Sequence, residues 1–178
     1  MKNPTILTLC ILWASLSLSF STTAQNKAKE EPLGTPARYL FPDDYMADPS
    51  VHIFEGKVYI YPSHDWESGV TDPEDGNHFN MRDYHVFSTK EPQKGKVTDH
   101  GVVLSLEQIQ WASRKLWACD VACKDGKYYM YFPAKDKNDI FRLGVAIGEK
   151  PYGPFIPQPH PMRGSYSIDP AVFEDEGK

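Results

Sequence analysis

The sequence predicts an all-β chain built from repeated hairpins, and three observations carry that prediction. Its 178 residues include 15 Pro, 12 Gly, 10 Tyr, 9 Phe and 4 Trp, a composition that favours turns and short half-buried strands over long helices. The runs at 58–61, 84–87, 128–132 and 143–147 are β-branched and aromatic, and each is bounded by turn formers. No window of a dozen residues carries a 3.6-residue period; the best helical stretch, 104–117, suffices for one or two turns.

Taken in chain order, residues 1–24 read as a cleaved signal peptide: Lys2 supplies a positive start, an apolar run follows from Thr5 to Phe20, and Thr22, Thr23 and Ala24 place small residues before Gln25. A membrane anchor is the competing reading, but Ser15, Ser17 and Ser19 interrupt a run shorter than the ~20 apolar residues a spanning helix needs. Cys10 sits inside the run rather than at its end, which argues against a lipoprotein. The expectation is export to the periplasm or beyond the cell, with no membrane association after cleavage. Residues 25–37 are polar, charged and without periodicity, as in a flexible linker. Residues 38–178 are expected to form the folded part. Cys119 and Cys123 remain after cleavage; on an extended strand their Cα atoms stand ~13 Å apart, beyond disulfide reach, so two buried free thiols are expected.

The strongest organisational signal is an internal repeat. Ala47-Asp48-Pro49-Ser50-Val51 precedes Glu55-Gly56-Lys57, Trp117-Ala118-Cys119-Asp120-Val121 precedes Asp125-Gly126-Lys127, and Ile168-Asp169-Pro170-Ala171-Val172 precedes Glu176-Gly177-Lys178. In each copy the glycine follows the valine by five residues. Such a unit reads as a hairpin: an inner strand carrying Val, a tight turn with positive φ at Gly, and a returning aromatic strand. The valines lie 70 and 51 residues apart, which brackets the ~40–50-residue period of propeller blades once an inserted loop is allowed. The turn-rich stretch 66–82 is the expected insertion. The third copy reaches Lys178 within its turn, so the expectation is two blades and the start of a third.

In a propeller the inner strands begin near a central channel, so equivalent positions of successive repeats converge there. Asp48 and Asp169 are equivalent in copies one and three, while copy two has Ala118. Either aspartate alone also fits an Asp-Pro turn before a strand. Matching places in a repeat, with the middle copy lacking the acid, point instead to two carboxylates facing one pocket, the pairing that acid/base cleavage of a glycosidic bond requires.

The motifs Ala47-Asp48-Pro49 with its Gly-Lys hairpin, Leu116-Trp117-Ala118, Ser167-Ile168-Asp169-Pro170 and Tyr61-Pro62-Ser63-His64-Asp65 resemble those of glycoside hydrolase family 43, and within it the bacterial xylosidase/arabinosidase group. The resemblance implies a five-bladed β-propeller that hydrolyses xylose- or arabinose-containing plant polysaccharides or oligosaccharides with inversion. It implies that Asp48 is the general base and Asp169 the carboxylate that raises the pKa of the general acid and orients it. The acid itself would be a glutamate after the third blade start, and no residue of this chain matches it; Glu174 and Glu176 fall in the hairpin turn. Trp117 matches a tryptophan that lines the sugar subsite, with a core tryptophan between blades as the alternative. His64 and Asp65 are expected either as contacts to sugar hydroxyls or as polar strand ends.

Other chemistries find little support. A net charge of −5 with scattered lysines offers no footprint for nucleic acid. His52, His64, His78, His85, His100 and His160 show no helical or finger-type metal spacing, and 72–77 departs from the calcium-loop pattern, so no metal ligand and no cofactor is expected from these residues; the resemblance leaves open a structural ion near the axis of the full-length propeller, with no ligand assigned in this chain. There is no phosphate loop and no Gly-x-Ser-x-Gly elbow. Two alternatives to a pentoside hydrolase stand beside it: a non-catalytic sugar-binding propeller, and an inactive truncated product.

Overall fold

The computed structural model describes residues 40, 44–69 and 78–175. The expected leader (1–24), the linker (25–37), residues 70–77 of the expected loop and the third turn (176–178) lie outside the described residues. Among those described, the chain is all-β, with two antiparallel sheets and two single 3-10 turns, Pro92–Lys94 and Leu106–Gln108. The first sheet is a meander of β1 (Met46–Phe54), β2 (Lys57–Trp66), β3 (Asn80–Thr89) and β4 (Thr98–Ser105), in that order. The second contains β5 (Ala112–Arg114), β6 (Asp120–Lys124), β7 (Lys127–Asp136), β8 (Phe141–Gly148) and β9 (Ile156–Pro157). There β5 and β6 share one side of β7, and β8 and β9 follow on the other. No helix of the described residues is long and apolar enough to cross a membrane.

Each sheet contains the same hairpin, β1–β2 in the first and β6–β7 in the second. Phe54 pairs with Lys57 and Lys124 with Lys127, leaving two-residue loops. Glu55 and Gly56 have φ of 51° and 72°, and Asp125 and Gly126 have 51° and 74°, the double positive φ that matches the right-handed twist of the flanking strands. A Cβ at Gly56 or Gly126 would meet nothing within 4 Å, so these glycines serve backbone conformation rather than close packing.

The sheets bury facing rows of side chains, as the two-residue period of strands dictates. Tyr59, Tyr61, Tyr84, Val86 and Leu104 of the first sheet join Val121, Met130, Phe132, Ala134 and Ala146 of the second, with Leu116 and Cys119 from the connecting segment. Buried tyrosines need partners for their hydroxyls. Tyr61 Oη donates to Pro151 O at 2.7 Å and Tyr84 Oη to Trp117 O at 2.5 Å, while burial pushes both phenols well above their ordinary pKa. Gly144 on β8 admits the Phe132–Trp111 stack, whose ring centroids lie 6.0 Å apart. A Cβ there would fall 2.5 Å from Phe132 and 2.7 Å from Trp111.

Two local expectations need correction, on the 66–82 loop and on Cys123, while the short helical stretch within 104–117 is present as a single turn. The loop expected over 66–82 is shorter at both ends, because Trp66 closes β2 and Asn80, Met81 and Arg82 open β3. Cross-strand bonds hold those ends: Trp66 Nε1 donates to Asp83 Oδ2 at 3.0 Å and Asn80 N to Asp65 Oδ1 at 2.8 Å. Within 104–117 only Leu106–Gln108 is helical, a 3-10 turn stopped by β5, with Ser105 N donating to Gln108 Oε1. Cys119 is a buried free thiol as expected, but Cys123 is exposed; it pairs with Tyr128 beside the turn, where the strand leaves the core.

Gly144→Ala is expected to lower stability by ~1–3 kcal/mol through overpacking, read as a reduced urea midpoint. A second expectation concerns pH. His100 stacks on Tyr152 and meets Ser88 Oγ at 2.8 Å; burial, then the nearby Lys57, holds its imidazole below the ordinary 6.5 against the pull of Asp99. The unfolded chain therefore binds this proton first, so the contribution is complete above about pH 6.5 and is lost as pH falls through the lower folded value. His100→Gln should flatten the decline in urea midpoint between about pH 7 and about pH 5.

Candidate functional site

Asp48 lies at an irregularity in β1. Ala47 pairs with Ser63 and Ser50 with Tyr61, so Asp48 and Pro49 together face the single residue Pro62 on β2. A proline fits such a bulge because it has no N–H to offer the ladder, and a bulge re-aims the side chain it carries. Asp48 is exposed with φ of 46°. Asp169, also exposed and also before a proline, has φ of 53°. Ala118, at the matching position of copy two, is not in this left-handed region. The two aspartates thus share a backbone state that costs ~1–3 kcal/mol and persists only where the surroundings impose it.

The surroundings include a group that the repeat comparison passed over. Asp120 is only 8% exposed. His52 Nε2 donates to its Oδ1 at 2.5 Å and Val121 N to the same oxygen at 2.9 Å. Val172 N donates to Oδ2 at 2.7 Å. His52 follows Asp48 by four residues and Val172 follows Asp169 by three, so one carboxylate of copy two holds the strand starts of copies one and three together. The signal was present in the sequence: Asp120 stands where the other copies carry Ser50 and Ala171.

The remaining expected site residues gather at one end of the first sheet. Ala47, Ser63 and Tyr84 are successive register partners across β1, β2 and β3, and the Tyr84 hydroxyl reaches Trp117 O. Trp117 is half-buried, with its ring 4.7 Å from Phe141, 6.4 Å from Phe79 and 5.7 Å from Lys115 Nζ. Its indole Nε1 is buried without a hydrogen-bond partner among the described residues. His64 directs Nδ1 to Asp83 Oδ1 at 2.7 Å and Nε2 to Asp44 Oδ1 at 3.1 Å. Asp65 accepts from Asn80 N. Polar atoms of both residues are thus engaged within the protein.

One group with metal-ligating chemistry was missed in the sequence. His64, Asp83 and His85 place their donor atoms within 4.8 Å of one another. Helical and finger spacings cannot detect it; the legible signal was Asp83-Tyr84-His85 on a strand, which puts the first and third side chains on one face.

The sequence profile of glycosyl hydrolases family 43 matches residues 46–178. The chain belongs to glycoside hydrolase family 43. Among curated family members, a xylosidase/arabinosidase of Bacteroides ovatus is 68% identical over 79% of this chain and 43% of its own length. Of solved structures, RS223-β-xylosidase superposes with a TM-score of 0.76 at 63% identity, over 78% of this chain and 43% of that one. A family 43 β-xylosidase/α-arabinofuranosidase from a compost microbial metagenome, solved with xylotriose in a calcium-free form, gives 0.74 at 60% identity, over 77% and 41%. The chain therefore spans less than half the length of these relatives.

In this family 43 chain a cavity of about 490 Å³ opens elsewhere, against Tyr129, Tyr131, Val172 and Phe173 on the outer side of β6 and β7. Asp48, Asp169 and Trp117 do not line it. Its walls are strand faces and the start of the third copy, so it is a seam between repeats rather than the expected substrate pocket.

Asp120→Ala should strand three donors, two of them backbone amides, and lower stability by about 3 kcal/mol. Asp120→Asn, which keeps one acceptor oxygen, should lose less. Equal urea midpoints for Asp120→Ala and the unaltered chain would remove the tie from the account.

Proposed function

We propose that this chain is the base-bearing portion of an exported glycosidase that releases xylosyl or arabinofuranosyl units from plant polysaccharides or their oligosaccharides. The observation that carries the reading is the common left-handed, pre-proline backbone of Asp48 and Asp169, at equivalent repeat positions tied through Asp120. The substrate class rests on the names of relatives and on the xylotriose complex of one of them.

On this reading the two sheets are the first blades of a five-bladed propeller. Two features favour it: the four-stranded meander of the first sheet, and the outward Val51 and Ile53 on β1, 56% and 74% exposed, which offer an apolar face for a further blade. The proposed leader, residues 1–24, directs export to the periplasm or the medium, and residues 25–37 tether the domain.

Asp48 acts as the general base. Exposed at the bulge, its carboxylate can take a proton from the water that attacks the anomeric carbon. Asp169 acts on the general acid, assigned to a glutamate outside residues 1–178: a second carboxylate raises the pKa of that acid by like-charge repulsion and keeps it protonated until the leaving oxygen needs the proton. Inversion requires a base-to-acid gap of ~6.5–9.5 Å, enough for the water. Trp117 supplies an apolar face for the sugar ring, and His64 and Asp65 frame the same end of the sheet.

In the complete protein, Asp48→Ala should reduce turnover of aryl xyloside or aryl arabinofuranoside by about 10²–10⁴-fold while changing the affinity for xylo-oligosaccharide little. Turnover that survives within about tenfold removes Asp48 from the mechanism. Sugar binding without turnover in the unaltered protein would favour the non-catalytic propeller instead.

A further inference from the structure

We propose that His64, Asp83 and His85 form a binding site for one divalent transition-metal cation of the zinc class. Neither Asp48 nor Asp169 contributes to the site; His64 is shared with the glycosidase reading, and metal titration is read without turnover, so the two readings fail separately.

Strand geometry creates the constellation. His64 on β2 is the register partner of Asp83 on β3, and His85, two residues further along, projects from the same face of β3. Asp83 Oδ1 lies 2.7 Å from His64 Nδ1 and 3.8 Å from His85 Nε2. Ligands at the ~2.0–2.2 Å bond lengths of a tetrahedral zinc ion stand ~3.4 Å apart, between those two separations. The three donors span no more than 4.8 Å, so receiving the ion requires the two rings to rotate toward it.

The outer contacts are those a metal site needs. A ligating histidine is oriented by a partner on its other ring nitrogen, and a ligating carboxylate by a donor on its other oxygen. Here His64 Nε2 faces Asp44 Oδ1 at 3.1 Å, His85 Nδ1 faces Asp99 Oδ1 at 3.5 Å, and Asp83 Oδ2 accepts from Trp66 Nε1 at 3.0 Å. His64 and Asp83 thus present one atom inward and have the other occupied from outside, while His85 Nδ1 only faces a carboxylate. The contact to Asp99 is too long and misaligned to satisfy the buried His85 Nδ1, which has no hydrogen bond; metal ligation at Nε2 would polarise that N–H and draw the carboxylate in.

Donor type narrows the ion. Two imidazoles and one carboxylate suit zinc, cobalt or nickel, whereas calcium and magnesium demand oxygen ligands. Side-chain exposure of 14%, 6% and 14% for His64, Asp83 and His85 shields the group from bulk water. Three protein ligands leave a fourth position for a water molecule.

The test is calorimetric titration of the chain with Zn²⁺ and with Ca²⁺, together with Co²⁺ titration followed by visible d–d absorption. One Zn²⁺ per chain is expected, with Co²⁺ bands of tetrahedral intensity and Ca²⁺ binding at least about 100-fold weaker. His85→Ala and Asp83→Asn should each abolish the Co²⁺ bands. Asp99→Asn, at an exposed position that leaves all three ligands in place, should weaken Zn²⁺ binding by about 10–100-fold, and it serves where a ligand variant fails to fold. Absence of saturable Zn²⁺ binding overturns the proposal and leaves a purely hydrogen-bonded His64–Asp83 pair. Unchanged affinity in all three variants, or a preference for Ca²⁺, overturns it equally.

Discussion

The Asp120 carboxylate is the constraint on which the arrangement of the described strands depends. Sheets packed through apolar side chains can slide, because dispersion and hydrophobic burial carry little direction. A buried carboxylate with donors from three chain segments cannot, since displacement of any one leaves an unmet polar group in a low-dielectric setting. His52, Val121 and Val172 come from three copies of the repeat, so this one group converts sequence periodicity into a defined relation among strand starts.

The placement of Asp48 and Asp169 follows from that anchoring. Both occupy a left-handed backbone before proline, a state that L-residues avoid and that proline disfavours further in its predecessor. Fixed points a few residues downstream, His52 and Val172, prevent the chain from relaxing. On the β1 side Ser63 Oγ also donates to Ala47 O at 3.1 Å, next to the strained residue. Local strain and tertiary anchoring are complementary: the first aims a carboxylate, and the second keeps it aimed.

Much of this was legible in the residues. The Glu55-Gly56 and Asp125-Gly126 turns and the aromatic return strands come from local chemistry, which a linear reading detects, whereas Asp48 and Asp169 stood out only through their matching places in the repeat. What escaped is non-local. Asp120 looked like an ordinary residue at the second strand start, because its meaning lies in donors 68 and 52 positions away. The grouping of His64, Asp83 and His85 required the β2–β3 register. The extent of the 66–82 loop was overestimated for a related reason: turn-rich composition masked cross-strand pairs that extend both strands into it.

The bulge at Asp48 and Pro49 has a second consequence, which concerns assembly. Among the described residues strand β1 is at the margin of its sheet, and a sheet margin bearing Val51 and Ile53 is a template for strand addition by other molecules. Proline and a local kink are established deterrents to such recruitment. The dipeptide that re-aims the Asp48 side chain therefore also guards this edge, and replacing it to relieve strain would expose an adhesive border.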